Sequence, residues 1–119
     1  MAKVLVVDDA AFIRMALQQA LEAHGHTMVG EAEDGVEAIE RFAELKPDVV
    51  ILDISMPQMN GLEALKRLKI LDPEVKVIIC SAIGYQSMLA EAIELGASEF
   101  IVKPFEPTQL AEAIDKVLA

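Results

Sequence analysis

The sequence predicts an α/β fold: an open parallel sheet with helices on both of its faces. Three observations carry that prediction. Short runs of β-branched and aliphatic residues, bounded by turn signals, recur through the 119 residues, the pattern of strands buried on both faces of a parallel sheet. Between them lie stretches with helical periodicity, long enough for the crossovers that parallel neighbours need. Glycines close two of those stretches, where a helix commonly ends in a left-handed turn.

The first strand is Val4-Leu5-Val6-Val7. After it, Ile13, Ala16, Leu17, Ala20 and Leu21 fall at i, i+3, i+4, i+7 and i+8, with Gln18, Gln19 and Glu22 on the other face. That is an amphipathic helix, and Gly25 caps it. Thr27–Ala32 reads as the second strand, weakened by Gly30 inside it. Ala38, Ile39 and Phe42 mark the second helix and Val49-Val50-Ile51-Leu52 the third strand. Leu62, Leu65 and Leu68 mark the third helix, ahead of a fourth strand at Val77-Ile78-Ile79-Cys80. Leu89, Ala92 and Ile93 place the fourth helix near Ser87–Leu95, and Gly96 closes it. Phe100-Ile101-Val102 is the fifth strand. Leu110, Ala113, Ile114, Val117 and Leu118 repeat the template of the first helix and place the last near Thr108–Leu118. The alternation of strand and helix, five times over, is that of a sheet with helices on both faces.

The length fits one domain, residues 1–119, able to bury roughly two-thirds of its unfolded surface. No Ser-, Gly- or Pro-rich linker interrupts it, and no run approaches the roughly 20 apolar residues of a membrane helix. The first strand starts at once, so no secretory signal is expected. The lone Cys80 sits in an apolar run without a partner, as a buried small hydrophobe in a reducing cytoplasm would. Net charge is −10, which disfavours nucleic acid and anionic membranes, since both are bound through cations. The plainest reading of that charge is solubility.

Part of the acidity is concentrated, however. The runs end on Asp8-Asp9, Asp53, Ser81 and Lys103. Parallel strands bring all of these to one edge and put three carboxylates, a hydroxyl and an ammonium in a single cleft. Like charges at that range repel, so the cluster needs a positive partner. Mg²⁺ suits it, a hard ion that takes one or two carboxylates plus waters and phosphate oxygens. Phosphoryl transfer rests mostly on positioning and electrostatics. Lys103 offers a point charge and Ser81 a hydroxyl donor to phosphoryl oxygens, and Asp53 can be the carboxylate nucleophile. Walker and dinucleotide glycine motifs are absent.

Plainer roles compete for these residues. Alone, Asp8-Asp9 would as readily cap the following helix. Asn60-Gly61 reads as turn and helix-start chemistry. Met15, Met56, Met59 and Met88 read as packing, His24 and His26 as helix-end residues, Lys46 and Lys76 as solvated charge, and Phe105 as core.

Four segments together resemble one family: Val6-Val7-Asp8-Asp9, Asp53-Ile54-Ser55-Met56-Pro57-Gln58-Met59-Asn60-Gly61, Cys80-Ser81-Ala82 and Phe100-Ile101-Val102-Lys103-Pro104-Phe105. Each is weak alone. In this order and at this spacing they are specific, and the chain resembles the receiver domain of two-component response regulators over essentially its whole length. The resemblance implies a flavodoxin-like (βα)5 three-layer sandwich with sheet order 2-1-3-4-5 and a cleft where strands 1 and 3 adjoin. It implies Asp53 as phosphoacceptor. Mg²⁺ would be held by Asp9, Asp53 and the Ser55 backbone carbonyl, with Asp8 acting mainly through a bound water. Lys103 would contact the phosphoryl group, and its bond to Pro104 is usually cis in receivers. Ser81 stands at the Ser/Thr position whose hydroxyl moves on activation. Phe100 stands at the switch aromatic, often Tyr in chemotaxis receivers, and lacks that hydroxyl.

The expected protein is then a cytoplasmic, monomeric signalling switch and not an enzyme, beyond slow self-phosphorylation from small donors and self-dephosphorylation. Asp8-Asp9-Ala10-Ala11-Phe12-Ile13-Arg14 and Cys80-Ser81-Ala82-Ile83-Gly84 look most like chemotaxis receivers, and with the last helical pattern at Leu110–Leu118 no output domain is expected. The expected partners are a sensor histidine kinase (CheA-like) and a flagellar-motor switch protein (FliM-like). The alternatives are a receiver cut from a DNA-binding regulator, an unphosphorylated interaction module, and a flavodoxin-like cofactor binder. The acidic pocket with Lys103 argues against the module, and the lack of a Ser/Thr-rich phosphate loop after strand 1 against the cofactor binder.

Overall fold

Strand and helix alternate along the described residues. The computed structural model describes residues 2–54, 56, 59–82 and 86–119. The order is β1 (Lys3–Val7), α1 (Ala11–Ala23), β2 (Thr27–Ala32), α2 (Gly35–Leu45), β3 (Val49–Leu52), α3 (Gly61–Leu71), β4 (Lys76–Ala82), α4 (Gln86–Glu94), β5 (Glu99–Lys103) and α5 (Pro107–Leu118). All strands are parallel, in the order β2-β1-β3-β4-β5.

Alternation along β1 divides the interior in two, because successive side chains point to opposite faces. Leu5 and Val7 face a core with Phe42 of α2, Leu62, Leu65 and Leu68 of α3, and Ala92 of α4. Val4 and Val6 face a core with Leu17 and Leu21 of α1 and Leu110 and Ile114 of α5. The result is three layers with β1, β3 and β4 central, and β3 is buried throughout.

The expected helix endings hold at Gly25 (φ 81°) and Gly96 (φ 102°), conformations that cost glycine little. Between β1 and β2 the register skips from Val4–Met28 to Leu5–Gly30. Gly30 therefore marks a bulge next to a shift in pairing.

Four expectations need correction. The fifth strand is not buried on both faces. It is the sheet edge, and only Ile101 is buried while Phe100 is 41% and Val102 39% exposed. The fourth strand runs on through Ser81 to Ala82, because Ser81 and Ala82 pair with Val102 and Lys103 through the backbone whatever their side chains. Ile93, Leu118 and Ala16 match the helical templates yet lie exposed, each at the margin of its apolar stripe. Met15 is 60% exposed on α1 rather than packed, unlike Met56, Met59 and Met88, which pack on the core.

Candidate functional site

The register carries the polar residues to one end of the sheet. Val7 pairs with Leu52, Leu52 with Ile79, and Ile79 with Phe100. Asp8 and Asp53 therefore leave β1 and β3 side by side, and the Asp53 N–H still donates to the Val7 carbonyl at 2.9 Å. Oxygens of Asp8, Asp9 and Asp53 all lie within 4.8 Å of one another. Asp8 and Asp53 are buried, at 1% and 5% exposure, and Asp9 is open to solvent.

Lys103, the last residue of β5, reaches back across the edge. Its Nζ donates to Asp8 Oδ2 at 2.7 Å and lies 3.5 Å from Asp53 Oδ1. Burial works to lower the Lys103 pKa, but the Asp8 hydrogen bond and the charges of Asp53 and Asp8 outweigh it and hold the ammonium above its ordinary value. Asp8 is further fixed by the Ala10 N–H, which donates to Oδ1 at 2.9 Å. Neither Asp8 nor Asp9 caps α1; its N-cap is Ala10. The helix-start reading does hold for Asn60, whose side chain accepts from the Glu63 N–H at 3.0 Å.

Ser81 is buried at 3% exposure, and its Oγ donates to the Ala82 carbonyl at 3.3 Å. Phe100, paired with Ile79 of β4, is 41% exposed. The Lys103-Pro104 peptide is cis, as the resemblance implied. Ser55 falls outside the described residues. Burial pushes the Cys80 thiol up to about 12, against the lowering charge of Lys103, which suits an inert core residue. His26 accepts from the Ala2 N–H through Nδ1 at 3.0 Å, a structural bond.

Three features went unread in the sequence. Arg14 donates to the Asp8 carbonyl at 2.6 Å and to Glu31 at 2.5 Å. Gly61 lies so close to Asp53 that a Cβ there would come within 2.2 Å of the Asp53 carbonyl oxygen. Gly35 is also pressed against Met59, where a Cβ would come within 2.5 Å of the carbonyl oxygen, and its N–H donates to that carbonyl. The Asn60-Gly61 pair was itself a visible signal, although it pointed only to a turn.

The donor set fits a hard divalent cation. Three carboxylates against the Lys103 ammonium leave a formal −2, and the oxygens are grouped by the fold. An octahedral Mg²⁺ with bonds of about 2.1 Å spans about 4.2 Å between opposite ligands, a scale comparable with the 4.8 Å within which these oxygens lie.

A family model for the response regulator receiver domain matches residues 4–115. This chain belongs to that family. The chemotaxis protein CheY of Thermotoga maritima is 52% identical to this receiver over 115 residues, 97% of this chain and 96% of that one. Among solved structures, a LuxR-family two-component response regulator from Aurantimonas sp. SI85-9A1 matches with TM-score 0.93 and 29% identity, over 99% of this receiver and 85% of that chain. A chain of the CheX–CheY–BeF3–Mg complex from Borrelia burgdorferi matches with TM-score 0.93 and 32% identity, over 98% and 89%. No helix among the described residues is long and apolar enough to cross a membrane.

Proposed function

We propose that this receiver is a phosphorylation-activated switch in which Asp53 takes a phosphoryl group from a histidine kinase. The observation that carries the reading is the setting of Asp53: a buried carboxylate leaving the central strand, grouped with Asp8 and Asp9 and 3.5 Å from Lys103. In the transfer an Asp53 carboxylate oxygen attacks phosphorus in line. The new O–P bond forms as the N–P bond of the phosphohistidine breaks, and the imidazole departs with the electron pair. Lys103 is held by Asp8 at 2.7 Å, so its charge already stands where a phosphoryl oxygen would come to rest. When bound by Asp9, Asp53 and the Ser55 backbone carbonyl, with Asp8 acting through a water, Mg²⁺ supplies positive charge to the transferring group.

The Ser81 hydroxyl has a long bond to its neighbour's carbonyl, which it can exchange for a phosphoryl oxygen. That movement would open room for the half-exposed Phe100 ring and reshape the face made by α4, β5 and α5. We read the chain as a cytoplasmic switch rather than an enzyme, with slow self-phosphorylation and self-dephosphorylation. The buried lone thiol supports the reducing compartment.

Chemotaxis is the pathway we favour. The support is 52% identity to a CheY over nearly the whole of both chains, with a CheA-like kinase upstream and a FliM-like motor switch protein as target. The likeness to a LuxR-family regulator supports a second reading, a receiver governing a DNA-binding output. Acetyl phosphate with Mg²⁺ tests the core of the proposal. Mass spectrometry should find one phosphoryl group, on Asp53, and none on Asp53→Asn. Label on another residue, or equal label on Asp53→Asn, refutes it. Capture of a motor switch protein by the phosphorylated form separates the two pathways from each other.

A further inference from the structure

We propose that Arg14 is a positioning residue for Asp9, the one solvent-exposed carboxylate of the cluster, and that Glu31 keeps Arg14 in place. The inference deepens the reading above and rests on Asp9 holding the divalent cation.

Arg14 lies one turn into α1, with only 14% of its side chain exposed. One terminal nitrogen donates to the Asp8 backbone carbonyl at 2.6 Å. Its Nε donates to Glu31 Oε1 at 2.5 Å, from the neighbouring β2. A planar guanidinium presents both donors in fixed directions, so the Glu31 contact orients the Asp8 contact.

Asp8 is thereby held at every polar atom. Its N–H donates to the Ala32 carbonyl at 3.0 Å, Oδ1 accepts from Ala10 at 2.9 Å, and Oδ2 accepts from Lys103 at 2.7 Å. The Arg14 bond adds the carbonyl. The peptide unit is planar, so fixing the Asp8 C=O also fixes the nitrogen and Cα of Asp9. Asp9 is exposed and its carboxylate must meet the others within 4.8 Å; its place is set through the backbone that Arg14 secures.

Two accounts of Arg14 predict opposite signs. As a bare positive charge beside the cluster, Arg14 repels an incoming cation, and its loss would tighten Mg²⁺ binding. As a positioning residue, its loss frees Asp9 and weakens binding. Groups that orient metal ligands typically account for about 10–100-fold in affinity.

The test is Mg²⁺ binding by calorimetry on intact wild type, Arg14→Gln, Arg14→Lys and Glu31→Gln, with urea melts of each. Phosphorylation by acetyl phosphate is measured alongside at saturating Mg²⁺. Arg14→Gln should bind Mg²⁺ about tenfold more weakly and stay within about twofold of the wild-type rate once saturated, because Asp53 and Lys103 are undisturbed. Arg14→Lys should recover part of the affinity through one remaining donor, and Glu31→Gln should lose less than Arg14→Gln. The double variant Arg14→Gln/Glu31→Gln should be no weaker than Arg14→Gln alone, since the two residues act as one unit. Equal or tighter Mg²⁺ binding by Arg14→Gln overturns the proposal, and so does a loss of saturated rate at unchanged affinity. Should Arg14→Gln fail to fold, Arg14→Lys and Glu31→Gln decide by the same criteria. A wild type that binds no Mg²⁺ overturns the underlying reading and this proposal together, whereas wild-type binding with an unaffected Arg14→Gln overturns this proposal alone.

Discussion

Lys103 and Asp8, 95 residues apart in the chain, meet at 2.7 Å across the carboxyl edge of the sheet. The same ammonium lies 3.5 Å from Asp53, so one cation serves two buried carboxylates that would otherwise repel each other.

Replacing that cation exposes the repulsion. Lys103→Met should destabilise the protein by about 2–4 kcal/mol, because removing one partner leaves buried charge uncompensated. Mg²⁺ should then raise the melting temperature of Lys103→Met more than that of wild type, since it substitutes for the missing charge. Paired thermal melts with and without Mg²⁺ check this; an equal shift in both proteins counts against shared compensation.

Removing a carboxylate should act in the opposite direction. Asp53→Asn is expected to be more stable than wild type without metal, by about 1 kcal/mol, and to gain less from Mg²⁺. Asp9→Ala should lose the Mg²⁺ shift, because a ligand that binds only the folded state stabilises in proportion to its occupancy. An undiminished shift in Asp9→Ala would remove Asp9 from the site.

Gly61 carries a steric prediction. A Cβ at this position would sit 2.2 Å from the Asp53 carbonyl oxygen and 2.6 Å from the Ile54 Cα, both backbone atoms with little freedom to move. Gly61→Ala should therefore cost about 1–3 kcal/mol and slow phosphorylation of Asp53 by displacing its main chain. Urea melts together with acetyl phosphate labelling read both effects. A stable, fully active variant would show that the loop yields without consequence.

Alkaline pH provides a further test. The Cys80 thiol is pushed by burial from 9.0 to about 12, so the unfolded chain loses this proton first. The stabilisation is fully present below pH 9 and is lost as pH rises towards 12. Lys103, also held above its ordinary value, loses its contribution on the same alkaline side. Wild type should weaken above pH 9 more steeply than Cys80→Ala, by up to about 1.4 kcal/mol per pH unit. Identical slopes would mean that the thiol ionises as easily folded as unfolded.

Activation should travel from Ser81 to Phe100. Ser81→Ala is expected to fold normally yet respond less to a phosphoryl mimic, since the hydroxyl that would move is gone. Amide chemical shifts compared between free and mimic-bound protein should change at Phe100 and along α4 in wild type. Changes confined to the loops around Asp53 would end the switch model.

The central strands were legible because burial on both faces forces unbroken apolar runs, as in Val49–Leu52, whose bounds the structure reproduces. Edges were harder. Phe100-Ile101-Val102 has the same composition, but β5 has a neighbour on one side only, and alternation there places Phe100 and Val102 outward. Asp8, Asp9, Asp53, Lys103 and Ser81 were found because each ends or closes an apolar run and parallel topology then brings them to one edge. Arg14 and Glu31 were not, since an ion pair between a helix and the neighbouring strand leaves no periodic trace in either segment. Gly61 hid for a similar reason: a turn residue and a residue that must lack a side chain look identical in one sequence.

The division of the interior by the sheet bears on how such a protein can be altered. Leu17 and Ile114 share one apolar layer, Leu52 and Leu68 the other, and among the described residues none belongs to both. A designer could rebuild either layer while the strand ends keep their bearings from the opposite one. Substitutions drawn from the two layers, separated by the thickness of the sheet, would combine additively. Lineages diverging from this chain could thus vary the packing on one face while the geometry of Asp8 and Asp53 is inherited intact.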